Sequence, residues 1–451
     1  MSLSSLPHEL RIKIAHHLQE SLEGNKDGLR DQGRKLALVS RQWRELGTRM
    51  SWTRLDIDFV DDSMRSNVDH AREHSKLLHL VKEVEVTTIL DSDEDIIYIR
   101  DIRGVSQLDE CKTKIRQRFE KFVNLALTSC INLEHLKLDI DTLDFAQLFL
   151  SSGLVTNKEA SRFPRLRSFT FFFDDSRESS GAAPCTTLIG ILPTLSSLEA
   201  VDLRICTRSE ATLPTSLPVT PSWPKLDKLR IDLAAFRNED EQSFFLANYP
   251  DEIENEKTLL YLLSLPHPTR LLTLLISVSQ LTVKSLSVLE SFASLTSFTL
   301  RLTPDNLLGI LDSLPSLLSS FRQLEHLSIL VTHDIANARH QCNISHSQLQ
   351  TLLDSLPDSL VSLETHFNLS DPSFQPLIEH FLASNTDGRF TRWIYYDSHF
   401  ETRYLGPRRP RPNEVVLKKM KRAEPLRGGF MHEDWEVAAS YYVLTSGVQY
   451  R

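Results

Sequence analysis

The chain has 451 residues, 41% hydrophobic and 25% charged, which suits roughly two to four well-buried domains and excludes wholesale disorder. Its formal charge of −9 gives no general reason to expect nucleic acid as a partner. The most apolar stretch, Leu271 to Val278, is far shorter than the roughly 20 residues that span a bilayer, so no membrane partner is expected either.

The N-terminus lacks a basic region followed by an apolar core, and the expected compartment is cytoplasmic, nuclear or both. The five cysteines, Cys111, Cys130, Cys185, Cys206 and Cys342, have no C-x-x-C spacing and read as free thiols. Leu6 to Leu18 predicts a helix with Pro7 in its first turn, where the missing N–H has no intrahelical partner. Leu6, Leu10, Ile14 and Leu18 recur every four residues as one apolar stripe. Gln19 to Lys35 is polar, and Glu23 to Gln32 reads as a surface loop insertion of small entropic cost. Lys35 to Leu46 predicts a second helix, with Leu36, Val39, Trp43 and Leu46 on one face and Gly47 as its stop. Two short helices cannot bury such stripes alone, so they need a following domain or another protein.

The run from Leu6 to Leu18, then Leu36 to Leu46 and Trp52, resembles the F-box. That family's pattern is Leu-Pro-x-Glu-Leu, a spaced Ile and Leu, then Leu-x-x-Val-(Cys/Ser)-(Arg/Lys)-x-Trp-(Arg/Lys). The resemblance implies docking on a Skp-family adaptor and, through it, on a cullin scaffold. It assigns Leu6, Pro7, Leu10, Ile14, Leu36, Val39 and Trp43 to that helical interface or its supporting core. One departure is the 18-residue separation of Leu18 and Leu36, longer than the family pattern.

Beyond these helices the template L-x-x-L-x-L recurs with apolar substitutions. Clear instances are Leu133-Leu136-Leu138, Leu166-Phe169-Phe171, Leu198-Val201-Leu203 and Leu226-Leu229-Ile231. Later come Leu295-Phe298-Leu300, Leu324-Leu327-Ile329, Leu360-Leu363-Thr365 and Phe390-Trp393-Tyr395, with weaker forms at Trp52-Leu55-Ile57 and Val81-Val84-Val86. From Leu136 to Phe169, Val201 and Leu229 the steps are 33, 32 and 28 residues. Helical patterns lie between them, such as Thr186 to Leu192, Asn306 to Leu314 and Gln348 to Leu356, each ended by a proline. The fold class predicted is α/β: an all-helical F-box-like domain over 1–55, then a degenerate leucine-rich-repeat solenoid over 56–400 with strands on the concave face and helices outside. A doubly wound sheet is the competing architecture. Between Leu229 and Phe298 one further unit is expected, with helices near Asp240–Asn248 and Glu254–Leu265. Its strand is not placed, because Val283-Leu286-Val288 fits the template but stands too close to Phe298.

Residues between the strand leucines face the open side of such a sheet. Arg204, Lys228, Arg230 and Arg301 there are candidates for an acidic or phosphorylated target segment, with Asp202 and Asp232 as competing internal partners. No catalytic, cofactor-binding or metal-ligating set is assigned: His8-Glu9 and His432-Glu433 lack the second imidazole of a zinc motif, and no glycine-rich phosphate loop occurs. Residues 401–451 depart from the repeat. Arg408 to Arg411 and Lys418 to Arg422 are basic clusters, readable as a solvated loop, a nuclear-import signal or an anionic-partner patch. The aromatic end with Trp435, Tyr441 and Tyr442 suits a cap over the repeat. The function expected is substrate recognition in a Skp–cullin–F-box ubiquitin ligase. The alternative is an F-box scaffold acting outside ubiquitylation, and the target itself is not legible.

Overall fold

A computed structural model describes residues 6–21, 26–58, 75–87, 129–140, 155–157, 160–161, 163–174, 182–206, 222–233, 253–278, 281–331, 343–369, 371–384, 390, 392–396 and 412–416, together with 117 and 120. The chain divides into two compact units, Met1–Asp175 and Ser176–Arg451.

The first unit opens with three helices, α1 (His8–Ser21), α2 (Lys26–Val39) and α3 (Arg41–Trp52). Two expectations change here. The segment read as a loop insertion is helical from Lys26 onward, and the single helix expected over 35–46 is broken at Ser40, whose extended backbone starts α3. Gly47 is no stop, because α3 runs through it to Trp52. It is instead where α2 and α3 touch backbone to backbone. A Cβ on Gly47 would lie 2.4 Å from both the Ala37 nitrogen and the Gly33 oxygen, and one on Gly33 would lie 2.8 Å from the Gly47 oxygen. Two facing glycines allow that close approach, which no larger residue permits.

Four strands of this unit, β1 (Arg54–Asp58), β2 (Glu83–Thr87), β3 (His135–Ile140) and β6 (Ser168–Asp174), pair in parallel in that order. A separate antiparallel pair, β4 (Val155–Asn157) and β5 (Ala160–Ser161), lies between β3 and β6 in sequence. In the second unit β7 (Ala200–Cys206), β8 (Lys228–Asp232), β9 (Thr273–Ser277), β10 (Ser297–Leu302), β11 (His326–Val331), β12 (Ser362–Asn368) and β13 (Arg392–Tyr396) also run parallel in chain order. The strand β14 (Pro412–Val416) pairs antiparallel with β13, so this segment leaves the repeat as its sequence suggested. A doubly wound sheet reverses strand order at a switch point. Neither unit does, and each strand lies beside its successor, an α/β arrangement compatible with a solenoid.

Successive repeats share hydrogen bonds that the leucine template alone did not reveal. In eight of them the first template residue donates its N–H to the carbonyl three residues earlier, as in Val81 to Leu78, Leu133 to Cys130, Leu166 to Phe163, Leu198 to Leu195, Leu226 to Trp223, Leu295 to Phe292, Leu324 to Phe321 and Leu360 to Pro357. The turn residue accepting this bond is buried and apolar in all but the last, so the repeating unit is longer by one apolar position. A second bond pattern ties neighbours together: two consecutive N–H groups at a strand start donate to one carbonyl of the preceding repeat. Examples are Glu134 and His135 to Lys82, and Glu325 and His326 to Thr296.

Alternation along each strand sends one face into the core, where Leu229, Leu274, Phe298, Leu327, Leu363 and Trp393 are in register and buried. Thr365 occupies a core position and is fully buried, with its hydroxyl accepting the Trp393 Nε1–H at 3.2 Å. The strand missing between Leu229 and Phe298 is β9, within the most apolar stretch of the chain, and Val283–Leu289 is a helix capped by the Thr282 side chain. Of the helices expected around it, Ile253–Leu263 is present, while Asp240–Asn248 lies outside the described residues. Pro315 does not end the helix begun at Asn306; it sits in the first turn of a separate helix, Leu314–Ser320. Asn306 bonds the backbone ahead of the Val283–Leu289 helix, its Oδ1 accepting the Leu281 N–H at 2.7 Å while its Nδ2 donates to the Leu281 carbonyl at 3.1 Å.

Cys130 sits at the buried turn position, and burial pushes its thiol up to about 12. Since the thiolate is the nucleophile, Cys130 is expected to resist a thiol reagent at about pH 8 until the chain is unfolded. Mass-spectrometric mapping of labelled sites checks this, and rapid labelling of Cys130 in the native chain would contradict it.

Candidate functional site

Two surfaces gather the candidate residues, one in each unit. On the N-terminal helices Trp43 is fully buried and belongs to the core that supports α2 and α3. Leu10 and Pro7 face solvent, Leu6, Ile14 and Leu36 are half-buried, and the Val39 side chain lies outside the described residues. Two apolar residues that the stripe did not single out are also exposed, Ile12 at 44% and Leu38 at 85%. Six large hydrophobic side chains face solvent among the described residues, and three of them, Leu10, Ile12 and Leu38, fall on α1 and α2. Scattered exposed apolar residues are ordinary on a protein surface, and these three lie on two helices, with Leu10 and Ile12 two residues apart and so on different sides of α1.

The open strand faces of the two units differ in charge. In the first unit the outward positions of β1 to β3 carry Arg54 and Lys137 against Asp56, Glu83, Glu85 and Asp139. Arg54 bonds Asp56 at 2.8 Å, Glu83 at 2.7 Å and also Glu85, while Lys137 reaches Glu85 at 3.0 Å. Burial raises the Glu83 carboxyl above its ordinary value, against the pull of Arg54. This face is acidic and largely neutralised from within.

In the second unit the register puts five cations, Arg204, Lys228, Arg230, Arg301 and Arg392, and three carboxylates, Asp202, Asp232 and Glu364, on the open face. The four cations singled out from sequence share this face but not one role. Arg230 is buried between two carboxylates, with Nε 3.6 Å from Asp202 and Nη2 3.7 Å from Asp232. Burial lowers its pKa, opposed by Asp202 and Asp232. Arg204 lies along Asp202, its Nη2 at 3.1 Å. Arg204 and Arg230 therefore have internal partners, as the neighbouring aspartates foreshadowed. The Arg301 side chain makes no hydrogen bond or ion pair among the described residues and stays half-buried in the β10 row, where it acts on Glu364 through its charge. No family model matches the chain, and no curated protein does so significantly.

Farther along, Glu364 is 7% exposed, with Oε2 accepting from the Ser328 hydroxyl at 3.1 Å and Oε1 without a hydrogen-bond partner. Burial pushes this carboxyl above the usual carboxylate range, with Ser328, Arg392 and Arg301 pulling the other way. Nearby, His326 Nδ1 meets the Ser362 hydroxyl at 2.8 Å, and burial lowers the imidazole pKa. A nucleophile–base pair also needs a third group orienting the imidazole, and the second ring nitrogen has no hydrogen-bond partner among the described residues. No group of three or more His, Cys, Asp or Glu among the described residues could hold a metal ion, and no described helix is long and apolar enough to cross a membrane. The basic clusters at 408–411 and 418–422, the aromatic residues from Trp435 on, and His432 lie outside the described residues.

Proposed function

We propose that the chain is a substrate-recognition subunit of a Skp–cullin–F-box type ubiquitin ligase. Its F-box-like helices hold a Skp-family adaptor, and its leucine-rich-repeat solenoid holds a target protein on the open strand face. The observation that carries this reading is that Leu10, Ile12 and Leu38 on α1 and α2 face solvent while Trp43 on α3 is fully buried. The stacked parallel repeat supports the second half, because each strand adds a row of side chains to one extended surface. In such an assembly the target lysine is held beside a ubiquitin-charged enzyme at high effective concentration, and no residue of this chain reacts covalently.

Affinity purification from cells tests the reading. A Skp-family adaptor is expected to co-purify, and Leu10→Ala with Ile14→Ala to remove it. Recovery of the cullin separates a ligase subunit from a scaffold acting outside ubiquitylation. Absence of the adaptor from the wild-type purification would sink both.

A further inference from the structure

We propose that the outer face of α2 docks on an acidic surface of the adaptor, with Leu38 as its apolar anchor and Arg34 as the charge that steers the partner in. This deepens the docking half of the reading above and rests on it. Neither residue belongs to the set that the F-box resemblance assigns. Helical spacing defines the face: Asp31, Arg34, Lys35 and Leu38 stand three, four and seven residues along α2 and are all exposed. The opposite side of the helix is taken up by α3, where Gly33 and Ala37 meet Gly47. Lys35 is paired with Asp31. The Arg34 side chain makes no hydrogen bond or ion pair among the described residues. Leu38, at 85%, is the most exposed large hydrophobic side chain among them.

Charge decides the class of occupant. α1, α2 and α3 carry nine lysines and arginines against five aspartates and glutamates, in a chain whose formal charge is −9. An acidic surface is therefore drawn to this helical element and, on balance, repelled by the remainder of the chain. An anionic membrane also attracts cations, but the apolar content of the face argues against it. One leucine stands there, with the Asp31 carboxylate on the same face, whereas a helix lying in a bilayer interface presents a broad apolar side. A single leucine bordered by charge suits a protein interface instead, where the buried apolar anchor slows dissociation and the rim charge speeds association.

The test is the kinetics of the full-length chain binding a purified Skp-family adaptor, read by biolayer interferometry. The association rate is expected to fall about tenfold as salt rises from about 50 to about 300 mM. At the lower salt, Arg34→Glu is expected to slow association about fivefold and to leave dissociation within about twofold, while Arg34→Lys keeps the wild-type rate. Leu38→Ala is expected to do the reverse, speeding dissociation about tenfold with association within about twofold. Both side chains are exposed on the side of α2 away from α3, so the fold is expected to tolerate these changes. The proposal is overturned if the adaptor binds at a rate indifferent to salt and to Arg34→Glu, or if Leu38→Ala leaves dissociation unchanged. It is also overturned if the chain sediments with vesicles of phosphatidylcholine and phosphatidylserine and Arg34→Glu abolishes that binding while adaptor kinetics stay the same. An adaptor that does not bind the wild-type chain at all is a different result: it sinks the docking reading and this proposal with it.

Discussion

Gly47→Ala is expected to loosen the N-terminal helices, against the usual effect of this substitution. In a helix interior alanine ordinarily gains about 0.5–1 kcal/mol over glycine. At Gly47 the new Cβ would stand 2.4 Å from the Ala37 nitrogen and the Gly33 oxygen, both backbone atoms that no rotamer change can move. Relief requires α2 and α3 to separate, which uncovers the packing around Trp43, and overpacking of this kind costs roughly 1–3 kcal/mol. Gly309 supplies the contrast, because its Cβ would meet nothing within 4 Å and the backbone there is helical. Gly309→Ala is expected to stabilise by about 0.5 kcal/mol. Hydrogen exchange of the peptides covering α1 to α3 reads the first effect, and thermal unfolding reads the second. Unchanged protection in Gly47→Ala would contradict the backbone contact.

Arg230→Ala is expected to be the most damaging change on the open face of the second unit. It leaves Asp202 and Asp232, 3% and 5% exposed, without the cation that lies between them. Removing one partner of a buried ionic group costs about 3–5 kcal/mol, since the remaining charges cannot recover their hydration. Arg204→Ala removes a more exposed partner of Asp202 and should cost about 1 kcal/mol or less. Replacing the group together, Asp202→Leu with Arg230→Met and Asp232→Leu, is expected to recover most of the loss. Urea unfolding of the three variants ranks them. Equal destabilisation by Arg204→Ala and Arg230→Ala would show that Arg230 is not the centre of the cluster.

The strands were legible in sequence wherever one face was apolar and the other polar. Leu136 and Leu138 with Lys137 between them give the period directly, and most strands follow this pattern. β9 was missed because both its faces are buried: Leu275 on the open face is 5% exposed and Ser277 1%, so the run has no alternation to read. Val283-Leu286-Val288 imitated the template by residue type alone, for on the helix Val283 is exposed while Leu286 is buried. α2 was hidden by Gly28, Gly33 and a run of charges that resemble a loop, and only the contact with Gly47 explains a glycine there. At the candidate site, sequence placed Arg204, Lys228, Arg230 and Arg301 on one face. It could not rank them, because the ranking depends on which aspartate each side chain reaches. Glu364 was on that face too, but nothing in its local sequence signals an oxygen buried without a donor.

The docking claim is tested most directly by mixing the purified chain with a purified Skp-family adaptor and measuring complex formation by titration calorimetry and size exclusion. A one-to-one complex is expected, weakened at least tenfold by Leu10→Asp with Leu38→Asp, two exposed positions where charge should leave the fold intact. An adaptor that forms no complex with the wild-type chain, or binds the double variant equally well, would contradict it.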